Sequence, residues 1–557
     1  MSIFTRIGAF FVSLVICFGG IFNIFKPAIP EAKSADELSQ LSGLFDKKEL
    51  ADEIYVISTS HIRSEEDNTV RCLQGLVNRD KVQIFISNCW MAEQFLTQLE
   101  EQGKTILRTD ENGRKWTTER LIEKFKSSIT DSGYVLYRDT EFAEGLNTAC
   151  NYATLYGWLP VPVEIKELAE NCGLTLKKDI SNDEYSYDYL KNFFNEHKGE
   201  FSDKGIIHIK LAAHGLRDFA IQQKMYICYT ESNKEGEKFL KTVLNSTAEH
   251  GIVMGWCESE KRFVEFISKL GFAICPSDHS YNLSVLSNME SDFTLPERSE
   301  KITPEPDKHY ISLIFTDGDN VQWMTNGVPE FYRHLALNAD YRMTWGFPII
   351  CSQLCPAMNK EFYTSADENI DIITGPSGIG YALPSAFEEK SMDFYTTQTA
   401  AAMLKSGMRV VTILDDEPLA IKTAAFARKL GYYSRFDNID GGIIFLDPRM
   451  YGAGEGRVWF SDDKPFLTVR KTLWSPENYD GITDEWMREN AAEINSYVAD
   501  NDSINGYSAI CVHAWSLTPE NLQKFVALLD DHIEIVSTEQ LIQLVTDNVP
   551  HKYAKPQ

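Results

Sequence analysis

Hydrophobic positions fall along this chain in two regimes, separated by a polar stretch at 287–308 that carries three prolines. Before it, short apolar runs alternate irregularly with helical patterns. EIYVIST (53–59) and VQIFIS (82–87) read as strands around a helix over 67–77. A charged helical stretch fills 91–127, GYVLYR (133–138) is a further strand, and residues 140–170 read as helices around TLYGWLPVPVEI. GIIHIKL (205–211), IVMGW (252–256) and FAICP (272–276) give a third unit.

After the polar stretch the pattern becomes regular. Strand-like runs lie at 310–317, 343–350, 371–375, 409–414, 441–446, 466–474, 507–515 and 533–537. Helical patterns near 328–338, 357–367, 392–406, 418–432, 484–499, 518–530 and 538–546 lie between most of them. Strand–helix alternation of this kind predicts parallel βαβ units, and the length suits a closed (β/α)8 barrel. A seven-stranded ring or an open doubly wound sheet is the alternative. No G-x-G-x-x-G follows the first strand, which disfavours a dinucleotide fold. The expected class is therefore α/β: a C-terminal (β/α)8-type barrel over 309–548, preceded by small α/β units at 48–130, 131–204 and 205–290 and a linker at 291–308.

The first 35 residues stand apart. Arg6 precedes an uninterrupted apolar run from Ile7 to Phe25, with Ala32-Lys33-Ser34 as a small-x-small cleavage site. This reads as an export signal. The run is also long enough to serve as a membrane anchor, so the expected location is secreted or at the cell surface. The formal net charge of -27 repels phosphate backbones and argues against nucleic acid as a partner. The 11 cysteines are scattered without paired C-x-x-C spacing, so neither a disulfide scaffold nor a zinc ribbon is expected.

A barrel places its chemistry just past the C-terminal ends of its strands. Read that way, the rim collects Asp317, Asp319 and Asn320 after the first strand, with Trp323 close behind. Gly378, Gly380 and Tyr381 follow the third, Asp415, Asp416 and Glu417 the fourth, and Asp447 the fifth. Trp474 follows the sixth strand, and His513 and Trp515 the seventh. Paired carboxylates suit glycoside hydrolysis, one protonating the leaving oxygen and one attacking or activating water. Aromatic faces stack on sugar rings. The expected catalytic set is Asp317, Asp319, Asp415, Glu417 and His513, and the expected substrate-binding set is Asn320, Trp323, Gly378, Gly380, Tyr381 and Trp515. Plainer roles exist for several of these. Asp415-Asp416-Glu417 also has the composition of a helix N-cap, and the two glycines suit a shaping role. Asp317, Asp319 and Asn320 carry donors that suit Ca²⁺ or Mg²⁺. No H-x-x-x-H or H-E-x-x-H spacing occurs, His208 and His214 read as structural, and no metal or other cofactor is assigned.

Gly378-Ile-Gly380-Tyr381-Ala-Leu383-Pro384 resembles the signature of the GxGYxYP family, with Leu383 where the signature has Tyr. Leu73-Gln74-Gly75-Leu76-Val77-Asn78-Arg79, Gly255-Trp256, Asn282-Leu-Ser-Val, Asp317-Gly-Asp-Asn and Val512-His-Ala-Trp515-Ser are also similar to that family. The resemblance spans about 50–548. It implies several small N-terminal domains followed by a motif-bearing C-terminal domain associated with sugar processing. It supplies no catalytic pair, so the acids above rest on their places at the barrel rim alone. The expectation is an exported glycoside hydrolase acting on a poly- or oligosaccharide. A metal-assisted polysaccharide deacetylase or esterase, or a non-catalytic glycan-binding surface protein, is the alternative.

Overall fold

The computed structural model describes residues 28–88, 91–247, 251–292, 294–295, 297–326, 341–366, 369–416, 420 and 424–557. The apolar run at 7–25, the helix expected near 328–338 and Glu417 lie outside the described residues. Among the described residues, no helix is long and apolar enough to cross a membrane. Residues Lys33–Gln557 form one compact unit.

Three small parallel sheets precede the large one. The first joins β1 (Leu50–Ser58), β2 (Val82–Ser87) and β3 (Thr105–Leu107) in the order β2-β1-β3. The second joins β4 (Gly133–Tyr137), β5 (Leu159–Pro162) and β6 (Thr175–Asp179) in the order β5-β4-β6. The third joins β7 (Gly205–His208), β8 (Tyr226–Cys228), β9 (Ile252–Gly255) and β10 (Ala273–Pro276) in the order β10-β9-β7-β8. β5 corrects the helical reading of TLYGWLPVPVEI. The helix Glu144–Tyr156 stops at Gly157, in the left-handed region, and the following LPVP pairs with β4. Its two prolines lie in a strand at the sheet edge, where a missing N–H costs little.

The C-terminal part is a curled parallel sheet. Its strands are β11 (His309–Phe315), β12 (Met343–Phe347), β13 (Ile370–Thr374), β14 (Val410–Asp416), β15 (Gly441–Asp447), β17 (Lys464–Leu473) and β18 (Tyr507–Val512). They run in the order β13-β12-β11-β18-β17-β15-β14. Every position of β11, β14 and β18 is buried, as a parallel sheet covered on both faces requires. The two ends of this path meet through side chains. The Thr412 N–H donates to Thr374 Oγ1 (3.0 Å), and the Leu414 N–H donates to Ser377 Oγ (2.9 Å).

The expected eight-stranded ring is met only in part. Among the described residues no ladder joins β13 to β14. The eighth run, β19 (Ile533–Ile535), pairs with β11 only at His309–Ile311, while β12 pairs with β11 at Ile314 and Phe315. The two share one edge of β11, so β19 cannot be a full member of the ring. An antiparallel strand that the apolar pattern does not predict, β16 (Val458–Ser461), folds onto β17. Asp462 and Asp463 turn the corner with φ of 49° and 62°, the two positive values of a tight hairpin turn.

The loops after β11 and β13 are pressed together. A Cβ on Gly375 would lie 1.8 Å from the Gly318 carbonyl oxygen. Gly375→Ala is therefore expected to cost about 3 kcal/mol or more in urea unfolding, at the upper end of overpacking costs. A loss below about 1 kcal/mol would show that the two loops can part.

Candidate active site at the mouth of the curled sheet

The signature loop leaves β13 and docks on the third N-terminal sheet. The Tyr381 N–H donates to the Ile274 carbonyl (2.7 Å), and the Ile274 N–H returns a bond to the Tyr381 carbonyl (2.8 Å). The Leu383 N–H donates to Ser268 Oγ (3.0 Å), on the helix Glu260–Lys269. This docking carries the start of that helix over the mouth of the curled sheet. Gly378 sits at φ 124° against Thr399, a conformation that disfavours any side chain. Gly380 passes close to the Ile274 carbonyl. Both glycines shape the loop, and neither lines the cavities it encloses.

Two adjoining cavities of about 320 and 260 Å³ lie under this roof. Glu260, Tyr381, Leu414, Tyr451 and Trp474 line both. The larger one receives Asp317, Asp319, Asn320 and His513, together with Trp256 from beyond β9. Asp415, Asp416, Asp447 and Lys261 belong to the smaller one. The expected residues Asp317, Asp319, Asn320, His513 and Tyr381 thus share one cavity, and Asp415 lies in its neighbour.

The acids differ in their surroundings. Asp317 is half-buried, with a left-handed backbone at φ 62°. Its Oδ2 accepts from the Thr316 hydroxyl (2.6 Å), whose oxygen is in turn fixed by the Ala514 N–H (3.1 Å). Burial raises the Asp317 pKa, and the bonds from Thr316 and the Trp515 side chain work against that rise. Asp319 has fewer donors. Burial, then the charges of Asp317 and Glu260, push its carboxyl well above the ordinary range. Glu260 faces them from the docked helix. As a residue it is open to the cleft, but its carboxyl is crowded, and its Oε1 accepts from the Tyr381 hydroxyl (3.0 Å). Burial of the carboxyl, then Asp317 and Asp447, raise its pKa. Three carboxyls that repel one another in this way share protons.

Asp415 is occupied by the protein itself. Its Oδ2 accepts from the Ser385 N–H (2.9 Å) and hydroxyl (2.8 Å), and its Oδ1 from the Asp416 N–H (2.8 Å). Burial brings its pKa up to about 7. Such a group holds the turn after the signature loop and has little left for a substrate. Asp416 pairs with Lys261 (2.8 Å).

His513 stacks on Trp474 with ring centroids 3.7 Å apart and bonds Ser516 Oγ through Nδ1 (2.7 Å). Burial lowers its pKa to about 4, so it is neutral at neutral pH. Asn320 accepts the Trp323 N–H (3.1 Å) at the start of the helix Val321–Asn326, and thus caps that helix as well as lining the cavity. Trp323 and Trp515 stack on each other (4.8 Å) outside the cavity lining, with Trp515 39% exposed. Strand-end positions in the C-terminal half do not point to Glu260, Lys261, Trp256 or Tyr451. These residues arrive from the third sheet or from a long loop after β15, and no periodicity marks them.

Family models match three parts of the chain. Residues 307–546 match the "GxGYxYP putative glycoside hydrolase C-terminal domain", 207–288 the "GxGYxYP third domain", and 132–197 the "GxGYxYP_N second domain". Among curated proteins nothing matches. A solved structure described as a "putative hydrolase" from Bacteroides thetaiotaomicron superposes with a TM-score of 0.79 at 22% identity, covering 91% of this chain and 97% of that one. At that identity the likeness speaks for the fold alone. A "putative polysaccharide deacetylase" from Mycobacterium smegmatis aligns over 47% of this chain and all of its own, at 12% identity and a TM-score of 0.31, which supports no argument.

Proposed function

Because the chain belongs to the GxGYxYP family, whose C-terminal domain is described as a "putative glycoside hydrolase", we propose that it hydrolyses glycosidic bonds in the cleft between the curled sheet and the docked helix. The observation that carries this reading is the set of mutually repelling carboxyls at one cavity, Asp317 and Asp319 on one side and Glu260 on the other. We assign the anion's role to Asp317, because two donors, Thr316 and Trp515, work against the rise that burial causes. The acid's role goes to Glu260, whose pKa is raised by burial of its carboxyl and by the charge of Asp317. Environments that hold one acid charged and another neutral divide the roles of base and acid between them.

In the reaction, Glu260 gives its proton to the leaving glycosidic oxygen as the bond to the anomeric carbon breaks. Asp317 either attacks that carbon, forming a glycosyl ester that water then breaks as Glu260 takes back a proton from that water, or itself takes a proton from the water that attacks directly. The water oxygen ends on the anomeric carbon. Asp319, pushed up by burial and by the charges of Asp317 and Glu260, is a second proton-holding group at the same cavity. Trp256, which stacks with Tyr381 (6.2 Å), and Trp474 offer faces for sugar rings. Leu383 presents an apolar wall in the smaller cavity where the family signature has Tyr. The apolar run at 7–25 supports an exported enzyme, acting outside the membrane on poly- or oligosaccharide.

A panel of plant, host and bacterial glycans, read by reducing-end release, tests this. Release of sugar that disappears in Asp317→Asn supports the reading. Deacetylation without chain cleavage, or binding without turnover, would replace it.

A further inference from the structure

We infer that His214, Asp278 and His279 form a binding site for one divalent transition-metal ion, zinc by the nature of its donors. The three residues lie outside the carboxylate cleft, on loops beyond the C-terminal ends of β7 and β10, where open parallel sheets commonly hold ligands. Their ligand atoms all fall within 4.8 Å of one another. Asp278 Oδ2 faces both imidazoles, at 3.4 Å from His214 Nε2 and 3.9 Å from His279 Nε2. Metal–ligand bonds of about 2.0–2.1 Å in a tetrahedron set donors about 3.3–3.4 Å apart, so the His214–Asp278 pair is at that spacing, while the His279–Asp278 pair at 3.9 Å and the His214–His279 pair, within 4.8 Å, lie wider. His279 is exposed, so its ring is the one with room to move toward the other two.

The second observation is independent of this spacing. Asp278 is only 7% exposed, yet its Oδ1 has no hydrogen-bond partner. A buried carboxylate oxygen without a partner is costly, and a cation held by both oxygens of Asp278 removes that cost.

The loops that carry the ligands are also fixed. The Gly215 N–H donates to the Asp278 carbonyl (2.6 Å) and the Leu216 N–H to the Ser280 carbonyl (3.1 Å). Arg217 donates to the carbonyls of Leu211 and Ala212 at 3.1 and 3.2 Å, and to that of His214. Two imidazoles and one carboxylate suit zinc, whereas calcium and magnesium call for all-oxygen cages. Three protein ligands leave a fourth position for water. One contact opposes binding: His214 Nδ1 accepts the Leu211 N–H at 3.3 Å. A metal on Nε2 moves the ring proton to Nδ1, and this long bond is given up.

The test uses the whole chain, stripped with a chelator and titrated with Zn²⁺ by calorimetry, with bound metal counted after dialysis. One zinc per chain is expected, with a rise in melting temperature on binding. His279→Ala changes an exposed ring, so the variant should fold, and it should weaken zinc binding at least tenfold. Asp278→Asn should weaken it further. Absence of stoichiometric zinc would overturn the proposal, as would binding unchanged in both variants or tighter binding of Ca²⁺ than of Zn²⁺. None of these readouts depends on glycoside turnover.

Discussion

Asp317→Asn is expected to lower kcat/KM on any glycan the enzyme cleaves by about 10²–10⁴-fold, the usual range for removing a positioned proton-transfer group. The substitution isolates charge better than most. Asp317 sits at φ 62°, a conformation that Asn tolerates well and Ala tolerates poorly. The amide oxygen can still accept from Thr316, whose hydroxyl remains fixed by the Ala514 N–H. The melting temperature should therefore stay close to that of the parent while turnover collapses. Asp415→Asn is the contrasting variant. Its carboxyl is engaged at both oxygens by Ser385 and the Asp416 N–H, so its loss should appear mainly in stability. Full activity in Asp317→Asn, or an equal loss in both variants at unchanged stability, would move the chemistry away from the turn after β11.

Much of this site is legible in the sequence because one rule connects sequence to function in parallel α/β folds. Side chains just past a strand face the mouth. That rule brings Asp317, Asp319, Asn320, Tyr381 and His513 together, and they line one cavity. It overstates Asp415, because a position at a strand end does not reveal whether the carboxylate is already taken by Ser385. Trp323 and Trp515 stack on each other outside the cavity lining, and Trp515 reaches the site through its side-chain hydrogen bond to Asp317. Glu260 lies beyond the rule's reach, because it belongs to another sheet and reaches the mouth only through the docked signature loop. The strands themselves are legible from apolar runs. Ring closure is not, since the division of one edge of β11 between β12 and β19 depends on register that no run of apolar residues encodes.

The docked helix supplies the second large effect. Glu260→Gln keeps the shape and leaves Oε1 able to accept from the Tyr381 hydroxyl, but it removes the proton. For natural substrates with poor leaving groups the expected loss is again about 10²–10⁴-fold. For an aryl glycoside with a dinitrophenyl leaving group, which departs without protonation, the loss should be small. The pH profile gives a separate sign. A general acid must hold its proton, so kcat/KM falls as pH rises through its pKa, and Glu260 is raised by burial of its carboxyl and by Asp317 and Asp447. Asp317 must be ionised, so activity also falls as pH drops through its own raised pKa. The parent enzyme should show both limbs. Glu260→Gln should lose the alkaline limb and keep the acidic one. If instead Glu260→Gln retains the alkaline limb and Asp319→Asn abolishes it, the proton donor is Asp319, and the docked helix only shapes the cleft.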